Sequence, residues 1–386
     1  MSKAMQFHDF ALPPAVQQAL KDLSFATPTE IQARSLPVVL DEKDVMACAQ
    51  TGSGKTAAYC LPMITTLLKH PNTNALVLVP TRELATQIAD VLHKLTRHTP
   101  GLHTAVLIGG MDMRRQIQVL KRKPRVCVGT PGRVLDHLRQ KSLSLAATHF
   151  LVLDEGDRML DMGFAPQLDQ ILKFVPKQRQ TLLFSATLPP KIRKLAEKYL
   201  NQPQHITVGE VSQPVELITQ TAVQTTHKMK NDVLMDELNA RTGSVIIFAR
   251  TQRRTDRLAE FLEDFGYKGS RIHGGRTQGQ RNQALSGFRD GRYRILVATD
   301  VASRGIDVPE VAHVVNYDLP MFDEDYVHRI GRTARAGAKG EALSLLTPED
   351  QRQWSKLSRK FNIAGGAGRS ENRPFGGAKR RSPERA

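Results

Sequence analysis

Short apolar runs, each followed by a polar or glycine-rich turn, recur through the first half of the chain and predict buried strands. Helix-type patterns separate them, for example at residues 84–95 and 191–199. Strands that alternate with helices predict a mainly parallel sheet with helices on both faces. Every polar turn follows a strand, so the turns are expected along the C-terminal edge of the sheet, where open α/β sheets bind ligands. The runs lie at residues 44–48, 75–79, 126–128, 150–153 and 181–184.

The pattern weakens at residues 208–217, where glycine, serine and proline predict a linker. A second strand–helix series follows and weakly echoes the first, which indicates a duplicated domain. A glycine-rich basic tail, residues 364–386, has almost nothing to bury and is expected to be disordered. The predicted fold is therefore two tandem α/β domains, at residues 1–207 and 218–363. The second series has predicted strands at residues 245–248, 270–272, 295–298, 311–316 and 341–346.

The charge of the chain points to a polyanionic partner. Its 386 residues carry a formal net charge of +17, which is typical of proteins that bind nucleic acid or anionic membranes. The alternative is a basic protein without such a partner. No membrane partner is expected, because no apolar signal segment or bilayer-spanning run is visible. The three cysteines, Cys48, Cys60 and Cys127, lack metal-site spacing, so they are predicted to be core residues in a reducing, cytoplasmic compartment.

Residues 49–56, Ala-Gln-Thr-Gly-Ser-Gly-Lys-Thr, have the layout of a phosphate-binding loop, because they lie between a strand-like run and a helix-like run. Glycines let backbone N–H groups curl around phosphate oxygens, and the helix N-terminus adds a partial positive charge. Lys55 can reach the β- and γ-phosphates, and the Thr56 hydroxyl can ligate Mg²⁺. The alternative, a chance glycine turn, does not account for the strand and the helix. Ala49 stands where the strict pattern has glycine.

An acidic tetrad, residues 154–157, ends the most apolar strand of the first half. Alone, such a cluster is usually a solvated turn, but beside a phosphate loop it fits the metal site of a P-loop enzyme. Asp154 is predicted to hold Mg²⁺, partly through water, since Mg²⁺ keeps several waters. Glu155 is the predicted residue that orients or deprotonates the attacking water.

Three arginines lie within residues 326–335 of the second half. Arg332 and Arg335 are three positions apart, so on one helical turn they would point the same way. Phosphoryl transfer often uses an arginine from a second module to neutralise charge in the transition state. We predict this role for both residues, and the alternative is an exposed basic helix.

In their order along the chain, these motifs resemble those of the DEAD-box ATP-dependent RNA helicases of superfamily 2. The resemblance runs from about Phe7 to Leu346, and it implies two RecA-like domains with ATP and Mg²⁺ as cofactors. The compact size and basic tail look most like the bacterial RhlE-type group. The other matching segments are residues 25–32, 80–85, 109–110, 130–133, 185–187, 245–250, 278–281, 297–307 and 328–335.

Three residues depart from the family pattern. Gly156 stands where the family has alanine, Ala334 where it usually has glycine, and Ser24 where the segment around Gln32 usually has glycine. The catalytic carboxylates and both arginines are in place, so small effects are expected. We expect Gly156→Ala to leave RNA-stimulated ATP hydrolysis within a few-fold of the parent.

The resemblance implies an ATP site. Gln32 is expected to hydrogen-bond the adenine edge, since a site built to pair polar base edges rejects bases that leave them unpaired. The expected catalytic residues are Lys55, Asp154, Glu155, Arg332 and Arg335. Nucleotide contacts are expected from Phe7, Phe25, Thr27, Gln32, Thr51, Gly52, Ser53, Gly54, Lys55, Thr56 and Asp307, and Mg²⁺ ligation from Thr56 and Asp154. Coupling between ATP and RNA is expected from Asp157, Ser185, Thr187 and His328.

The resemblance also implies RNA contacts at turns in both domains. Such turns offer N–H groups and arginines, which bind phosphates without reading bases. Aromatic residues make up 5% of the chain, so extensive base stacking is not expected. Binding should be sequence-independent and salt-sensitive. The expected contacts are Pro80, Thr81, Arg82, Gly109, Gly110, Thr130, Pro131, Gly132, Arg133, Arg250, Gln278, Arg281, Thr299 and Asp300.

The expected mechanism is closure of two domains on ATP and single-stranded RNA, with local separation of a short duplex. Because both ligands would favour the closed state, each should tighten binding of the other. Three alternatives stay open: an RNA clamp that uses ATP only to lock on, a DNA helicase or translocase of the same superfamily, and, more remotely, a small-molecule kinase. Ribosomal precursors and RNA-decay proteins are candidate partners, and the sequence does not name the RNA.

Overall fold

The computed structural model describes residues 5–49, 52–208, 218–300, 311–334, 340–361 and 363. Most of the predicted linker and the whole predicted tail lie outside these ranges. The described residues form two compact units, and each unit is built on its own parallel sheet.

The first sheet has seven strands, and every paired strand runs parallel to its neighbour. The strands are β1 (Val45–Cys48), β2 (Asn74–Leu78), β3 (Thr104–Leu107), β4 (Val126–Gly129), β5 (Thr148–Asp154), β6 (Gln180–Ser185) and β7 (Gln204–Thr207). Their order across the sheet is β3-β4-β2-β5-β6-β1-β7.

Helices cover both faces of the first sheet. Successive strand residues point to opposite faces, so Val45 and Ala47 join one apolar cluster while Met46 joins the other. This double burial explains why the central strands read as continuous apolar runs. The helices are α1 (Pro14–Asp22), α2 (Glu30–Leu40), α3 (Lys55–Lys69), α4 (Arg82–Leu95), α5 (Met113–Lys121), α6 (Pro131–Arg139), α7 (Gly156–Asp161), α8 (Ala165–Leu172) and α9 (Pro190–Tyr199).

The second sheet has six strands, all paired in parallel. They are β8 (Ile218–Gln224), β9 (Val245–Phe248), β10 (Gly269–Ile272), β11 (Ile295–Ala298), β12 (His313–Asn316) and β13 (Gly340–Leu346). Their order is β10-β11-β9-β12-β13-β8. The second half of the chain contributes the helices α10 (Lys230–Asn239), α11 (Gln252–Asp264), α12 (Gln278–Arg289), α13 (Asp323–Ile330) and α14 (Gln351–Lys360).

All the strands expected from the sequence are present, and the structure adds three, β3, β7 and β8. Each of the three lies at an edge of its sheet. In β7 only Ile206 is buried, and in β8 buried and exposed positions are mixed. An edge strand has less apolar surface to cover, so it lacks the continuous apolar run that marks a central strand.

The cysteines are core residues, as the sequence predicts. Cys48, Cys60 and Cys127 are buried free thiols. Burial raises the pKa of Cys127 to about 12, which keeps its thiol protonated and unreactive. Among the helices within the described ranges, none is both long and apolar enough to cross a membrane.

Candidate functional site

The phosphate-binding loop joins β1 to α3, and its backbone depends on glycine. Gly52 has φ 84° and Gly54 has φ 94°, which is the left-handed region that side chains disfavour. Helix α3 begins at Lys55, whose ammonium is buried and donates to the Ala49 carbonyl at 2.7 Å. The lysine thus sits at the mouth of the loop, and Thr56 follows it in the first helical turn. Thr51 lies outside the described residues.

Gln32 ties the segment before β1 to this loop. Its Oε1 accepts from the Thr29 N–H at 2.9 Å, and its Nε2 donates to the Gly54 carbonyl at 3.0 Å. A Cβ on Gly54 would collide with the Gln32 amide, so the close approach requires glycine. Phe7 is buried and Phe25 is exposed, with 6.5 Å between the ring centroids. Thr27 is exposed beside them, so this aromatic pair and Gln32 gather at one end of α2.

Asp154 ends β5, and only 3% of it is exposed. The Tyr59 hydroxyl donates to its Oδ2 at 2.9 Å, and the Glu155 N–H donates to its Oδ1 at 2.9 Å. Burial raises the pKa of Asp154 to about 6, and the positive charge of Lys55 acts in the opposite direction. The sequence reasoning missed Tyr59, although its place four residues after Lys55 puts both on one face of α3.

Glu155 is held by a buried ion pair that the sequence reasoning also missed. Arg158 Nη1 lies 2.6 Å from Glu155 Oε2, and both side chains are largely buried. Glu155 itself has φ 53°, a left-handed conformation at the start of α7. The chain therefore turns sharply between β5 and α7. In this state Arg158 neutralises the predicted catalytic carboxylate.

Gly156 packs more tightly than a solvated turn would. A Cβ built on it would lie 2.5 Å from Leu183 Cδ1 on β6 and 3.8 Å from Ile192 Cδ1 on α9. Leu183 therefore occupies the space that the methyl of the family's usual alanine would need.

Asp157, a member of the predicted coupling set, joins α7 to the turn after β6. Its Oδ2 accepts from the Thr187 N–H and hydroxyl, both at 2.9 Å, and from the Ala186 N–H at 3.2 Å. The Asp157 N–H donates to Ser185 Oγ at 3.3 Å. The fourth member of the set, His328, lies on α13 in the second unit.

The predicted RNA turns of the first unit follow three neighbouring strands. Arg82 lies over the glycine pair, because a Cβ on Gly109 would come within 3.2 Å of its guanidinium. Gly110 has φ 78° and is equally crowded by Arg82. Arg133 Nη1 donates to the Met111 carbonyl at 3.0 Å and so joins the third turn to the second. These turns are Pro80–Thr81–Arg82 after β2, Gly109–Gly110 after β3 and Thr130–Pro131–Gly132–Arg133 after β4.

The strand order divides the sheet edge into two surfaces. The RNA turns follow β3, β4 and β2, while the phosphate loop, the Asp154 turn and the Ser185–Thr187 turn follow β1, β5 and β6. Strands β2 and β5 pair directly, so the two surfaces adjoin without overlapping.

The predicted RNA residues of the second half of the chain also follow adjacent strands. Arg250 follows β9, Thr299 and Asp300 follow β11, and Gln278 and Arg281 lie in the first turn of α12, which follows β10. Strands β11 and β9 are neighbours in the second sheet, so Arg250, Thr299 and Asp300 share one edge of it. Residues 276–282, at the start of α12, group with the first compact unit.

Asp300 makes a strong internal contact. Its two carboxylate oxygens accept from Arg329 Nε at 2.5 Å and Nη2 at 2.7 Å. Arg329 is 2% exposed and also donates to Asn316 Oδ1 and to the Asp318 carbonyl. This bidentate pair fixes the turn after β11 against α13.

The expectation that Arg332 lies on a helical turn is wrong. Helix α13 ends at Ile330, and the Gly331 N–H bonds back to the Val327 carbonyl as a C-terminal cap. Ala334 then has φ 56°, which no helix contains. Arg332 is buried in this turn. Arg335 and Asp307 lie outside the described residues.

Comparisons with known proteins agree with this arrangement. Residues 29–195 match the family model described as DEAD/DEAH box helicase, and residues 229–337 match the model described as helicase conserved C-terminal domain. A relative from Geobacillus kaustophilus, DEAD-box ATP-dependent RNA helicase CshA, is 43% identical over 355 residues, covering 92% of this chain and 76% of the relative.

Two solved structures are also similar. Dbp5 of S. cerevisiae bound to RNA and ADP BeF3 has a TM-score of 0.83 and 32% identity, and the match covers 92% of this chain and 93% of that one. Mss116p bound to ssRNA and AMP-PNP has a TM-score of 0.84 and 28% identity, covering 94% and 79%. These similarities confirm the predicted pair of RecA-like domains.

Proposed function

Because the chain belongs to the DEAD-box ATP-dependent RNA helicase family, we propose that it hydrolyses ATP on binding RNA. We further propose that it locally separates short RNA duplexes or remodels RNA–protein complexes. The edge of the first sheet carries this proposal: the predicted ATP turns and RNA turns occupy adjoining surfaces of the same edge. The two surfaces meet where β2 pairs with β5, so a ligand on one surface can bias a strand that is hydrogen-bonded to a strand of the other.

The first unit is proposed to hold the triphosphate on the phosphate loop and Lys55. The Thr56 hydroxyl and the Asp154 carboxylate are hard oxygen ligands of the type that Mg²⁺ prefers. Each Asp154 oxygen accepts one hydrogen bond and keeps further lone pairs for a metal or its waters. Bound Mg²⁺ would neutralise charge on the β- and γ-phosphates. Glu155 is proposed to leave Arg158 and to orient the attacking water.

Asp157 is proposed to couple RNA binding to hydrolysis. Its carboxylate holds the Ser185–Thr187 turn, while its backbone begins the helix that starts next to Glu155. A shift of that turn would therefore move Glu155. Arg332 and Arg335 are proposed to complete the charge stabilisation of the γ-phosphate, so hydrolysis would require the second unit.

The finer assignments are also proposals. The proposed RhlE-type subgroup is supported by the basic sequence of residues 364–386, whereas the relative from Geobacillus kaustophilus is named CshA. The net charge of +17 supports backbone binding to single-stranded RNA or a short duplex. A cytoplasmic location, and ribosomal precursors or RNA-decay proteins as partners, complete the proposal.

Two assays on the full chain test the proposed function. The first compares ATP turnover alone, with RNA and with DNA of the same length, and the second follows ATP-dependent separation of a short RNA duplex. We expect stimulation by RNA together with duplex separation. ATP-dependent RNA binding without separation would favour the clamp, and equal stimulation by DNA would favour the DNA enzyme.

Glu155→Gln should largely abolish hydrolysis while ATP-dependent RNA binding survives, because the amide keeps the shape but cannot accept a proton. Turnover and filter binding measure the two properties. Glu197→Gln, an exposed position on α9 with the same chemical change, is the matched control. Near-normal turnover of the Glu155 variant would remove this residue from the role.

A further inference from the structure

A cleft in the second unit has no part in the site described above. It encloses about 420 Å³ at the first turns of α10 and α11 and just beyond the end of β12. Three arginines of α11, Arg253, Arg254 and Arg257, line it together with Asn231 and Tyr317. Such a concentration of guanidinium groups around a concave surface suits an anion with several oxygens.

The positive charge of this cleft is not balanced. The buried Asp318 carboxylate lies 3.2 Å from Arg254 Nη1 and 3.3 Å from Lys230 Nζ, so one acid serves two cations. Arg253 and Arg257 are exposed, and within the described part of the chain neither forms an ion pair. The surplus charge is therefore available to a bound ligand.

The geometry favours a phosphate over a base. The Tyr317 ring is 6% exposed and lies 4.8 Å from Lys230 Nζ and 5.2 Å from Arg254 Cζ. Cations thus occupy the surroundings of the ring, and no open aromatic face remains for stacking. The Tyr317 hydroxyl donates to Asn231 Oδ1 at 2.7 Å, which leaves the Asn231 amide nitrogen as a donor. The cleft consequently presents hydrogen-bond donors to a bound ligand.

The cleft is continuous with a proposed RNA contact. Arg250 and Thr251 follow β9, and Thr251 caps α11 by accepting the Arg254 N–H at 3.2 Å. The Arg250 N–H donates to Asp318 Oδ2 at 3.0 Å, so the same carboxylate anchors both the cleft and Arg250. Strands β9 and β12 are neighbours, which places the cleft at the strand ends beside Arg250.

We propose that this cleft binds an RNA phosphodiester group and extends the RNA path of the second unit past Arg250. This inference rests on the proposed RNA-dependent function. Arg253 and Arg257 hold the phosphate oxygens directly, while Asp318 and Tyr317 position Arg254. The contact reads no base, so it adds affinity and salt dependence without sequence preference.

The test reverses the charge of the two unpaired arginines in the full chain. Arg253→Glu/Arg257→Glu is compared with Arg352→Glu/Arg359→Glu, which makes the same change in net charge at exposed positions on α14. Fluorescence anisotropy gives the affinity for single-stranded RNA at several salt concentrations. The cleft variant should bind on the order of tenfold more weakly, and its salt slope should fall by about 0.7 for one lost phosphate contact.

The possible outcomes separate this inference from the proposed function. Equal weakening in the cleft and control variants would show that only net charge matters and would overturn the cleft. So would unchanged affinity of the cleft variant, which is also the result expected if the cleft takes free phosphate or an acidic peptide. Arg253→Lys/Arg257→Lys keeps the charge and should recover most of the affinity, which would show that the positive charge at these two positions, and not their substitution as such, sets the affinity. A parent protein without RNA binding would refute the proposed function itself.

Discussion

Substituting alanine at Gly156 restores the family's usual residue and tests how the start of α7 packs against Leu183 of β6. The added Cβ would lie 2.5 Å from Leu183 Cδ1, whereas carbon atoms in contact normally lie about 3.5–4.0 Å apart. Leu183 must therefore move by about 1 Å or more. Its Cδ1 is the far end of a flexible side chain, so rotation can provide much of that movement.

The expected magnitude is the difference between two opposing effects. Overpacking a core position costs about 1–3 kcal/mol. Alanine in place of glycine in a helix favours folding by roughly 0.5–1 kcal/mol, and Gly156 is the first residue of α7. We therefore expect Gly156→Ala to lower the free energy of unfolding by about 0.5–2 kcal/mol. Outside the two neighbouring residues, the nearest atoms to the new methyl belong to Leu183 and Ile192 and not to Asp154, so RNA-stimulated turnover should stay within a few-fold of the parent.

Urea unfolding and ATP turnover of the parent and four variants check this reasoning. Leu183→Val removes the crowding atom. The double variant should therefore lose about 1 kcal/mol less unfolding free energy than the sum of the losses of the two single variants. Gly279→Ala is the control, since its Cβ would meet no atom within 4 Å, and it should stabilise the protein. The crowding is refuted if Gly156→Ala stabilises the protein as much as the control does and if this effect is the same with and without Leu183→Val. A tenfold change in turnover would show that Gly156 is functional.

Three further predictions concern single residues. Tyr59→Phe should weaken Mg²⁺-dependent ADP binding, because Asp154 loses a buried hydrogen-bond donor worth roughly 1.5–3 kcal/mol. Binding of a fluorescent ADP analogue with and without Mg²⁺ tests this. Unchanged Mg²⁺ dependence would contradict it. Burial raises the pKa of Asp154 to about 6 in the folded chain. Protonation of Asp154 therefore stabilises the nucleotide-free fold below about pH 4, and this stabilisation is lost as the pH rises through about 6. Relative to Asp154→Asn, the parent should lose roughly 2.5 kcal/mol of unfolding free energy between pH 4 and 7, and a constant difference in urea unfolding would refute the raised pKa. Ala334→Gly should raise the free energy of unfolding by up to about 1.5 kcal/mol, because the left-handed φ of 56° strains alanine. The extra freedom of glycine in the unfolded chain offsets part of this gain. Destabilisation in urea would argue against the strain.

The central strands were predictable because both of their faces are buried. In β9 and β11 the predicted bounds match the observed ones, since these strands are apolar throughout and end at polar turns. The edge strand β7 could not be found this way, because its exposed positions are as polar as those of a loop. Periodicity reports burial, and a hydrogen-bonded strand with little burial leaves no such signal.

The place of the candidate site in the fold was predictable where it depends on residues near one turn, as in the phosphate loop and the acidic tetrad. Contacts across elements were not visible in the sequence. Tyr59 reaches Asp154 from 95 positions away, and Leu183 fills the space beside Gly156 from the neighbouring strand. The helical position predicted for Arg332 was wrong for a local reason, because the helix ends at Ile330 and Gly331 caps it before Arg332.

The division of the first sheet edge has an electrostatic consequence. Both ligands are polyanions, and the phosphate loop after β1 lies three strands from the nearest RNA turn, which follows β2. Three strand spacings amount to about 14 Å, which is longer than the screening length of about 10 Å at 0.1 M salt but shorter than the roughly 30 Å at 0.01 M. Mutual repulsion between ATP and RNA is therefore weak at ordinary ionic strength and grows as the salt concentration falls. Low salt should strengthen each ligand's own binding while eroding the cooperativity between the two.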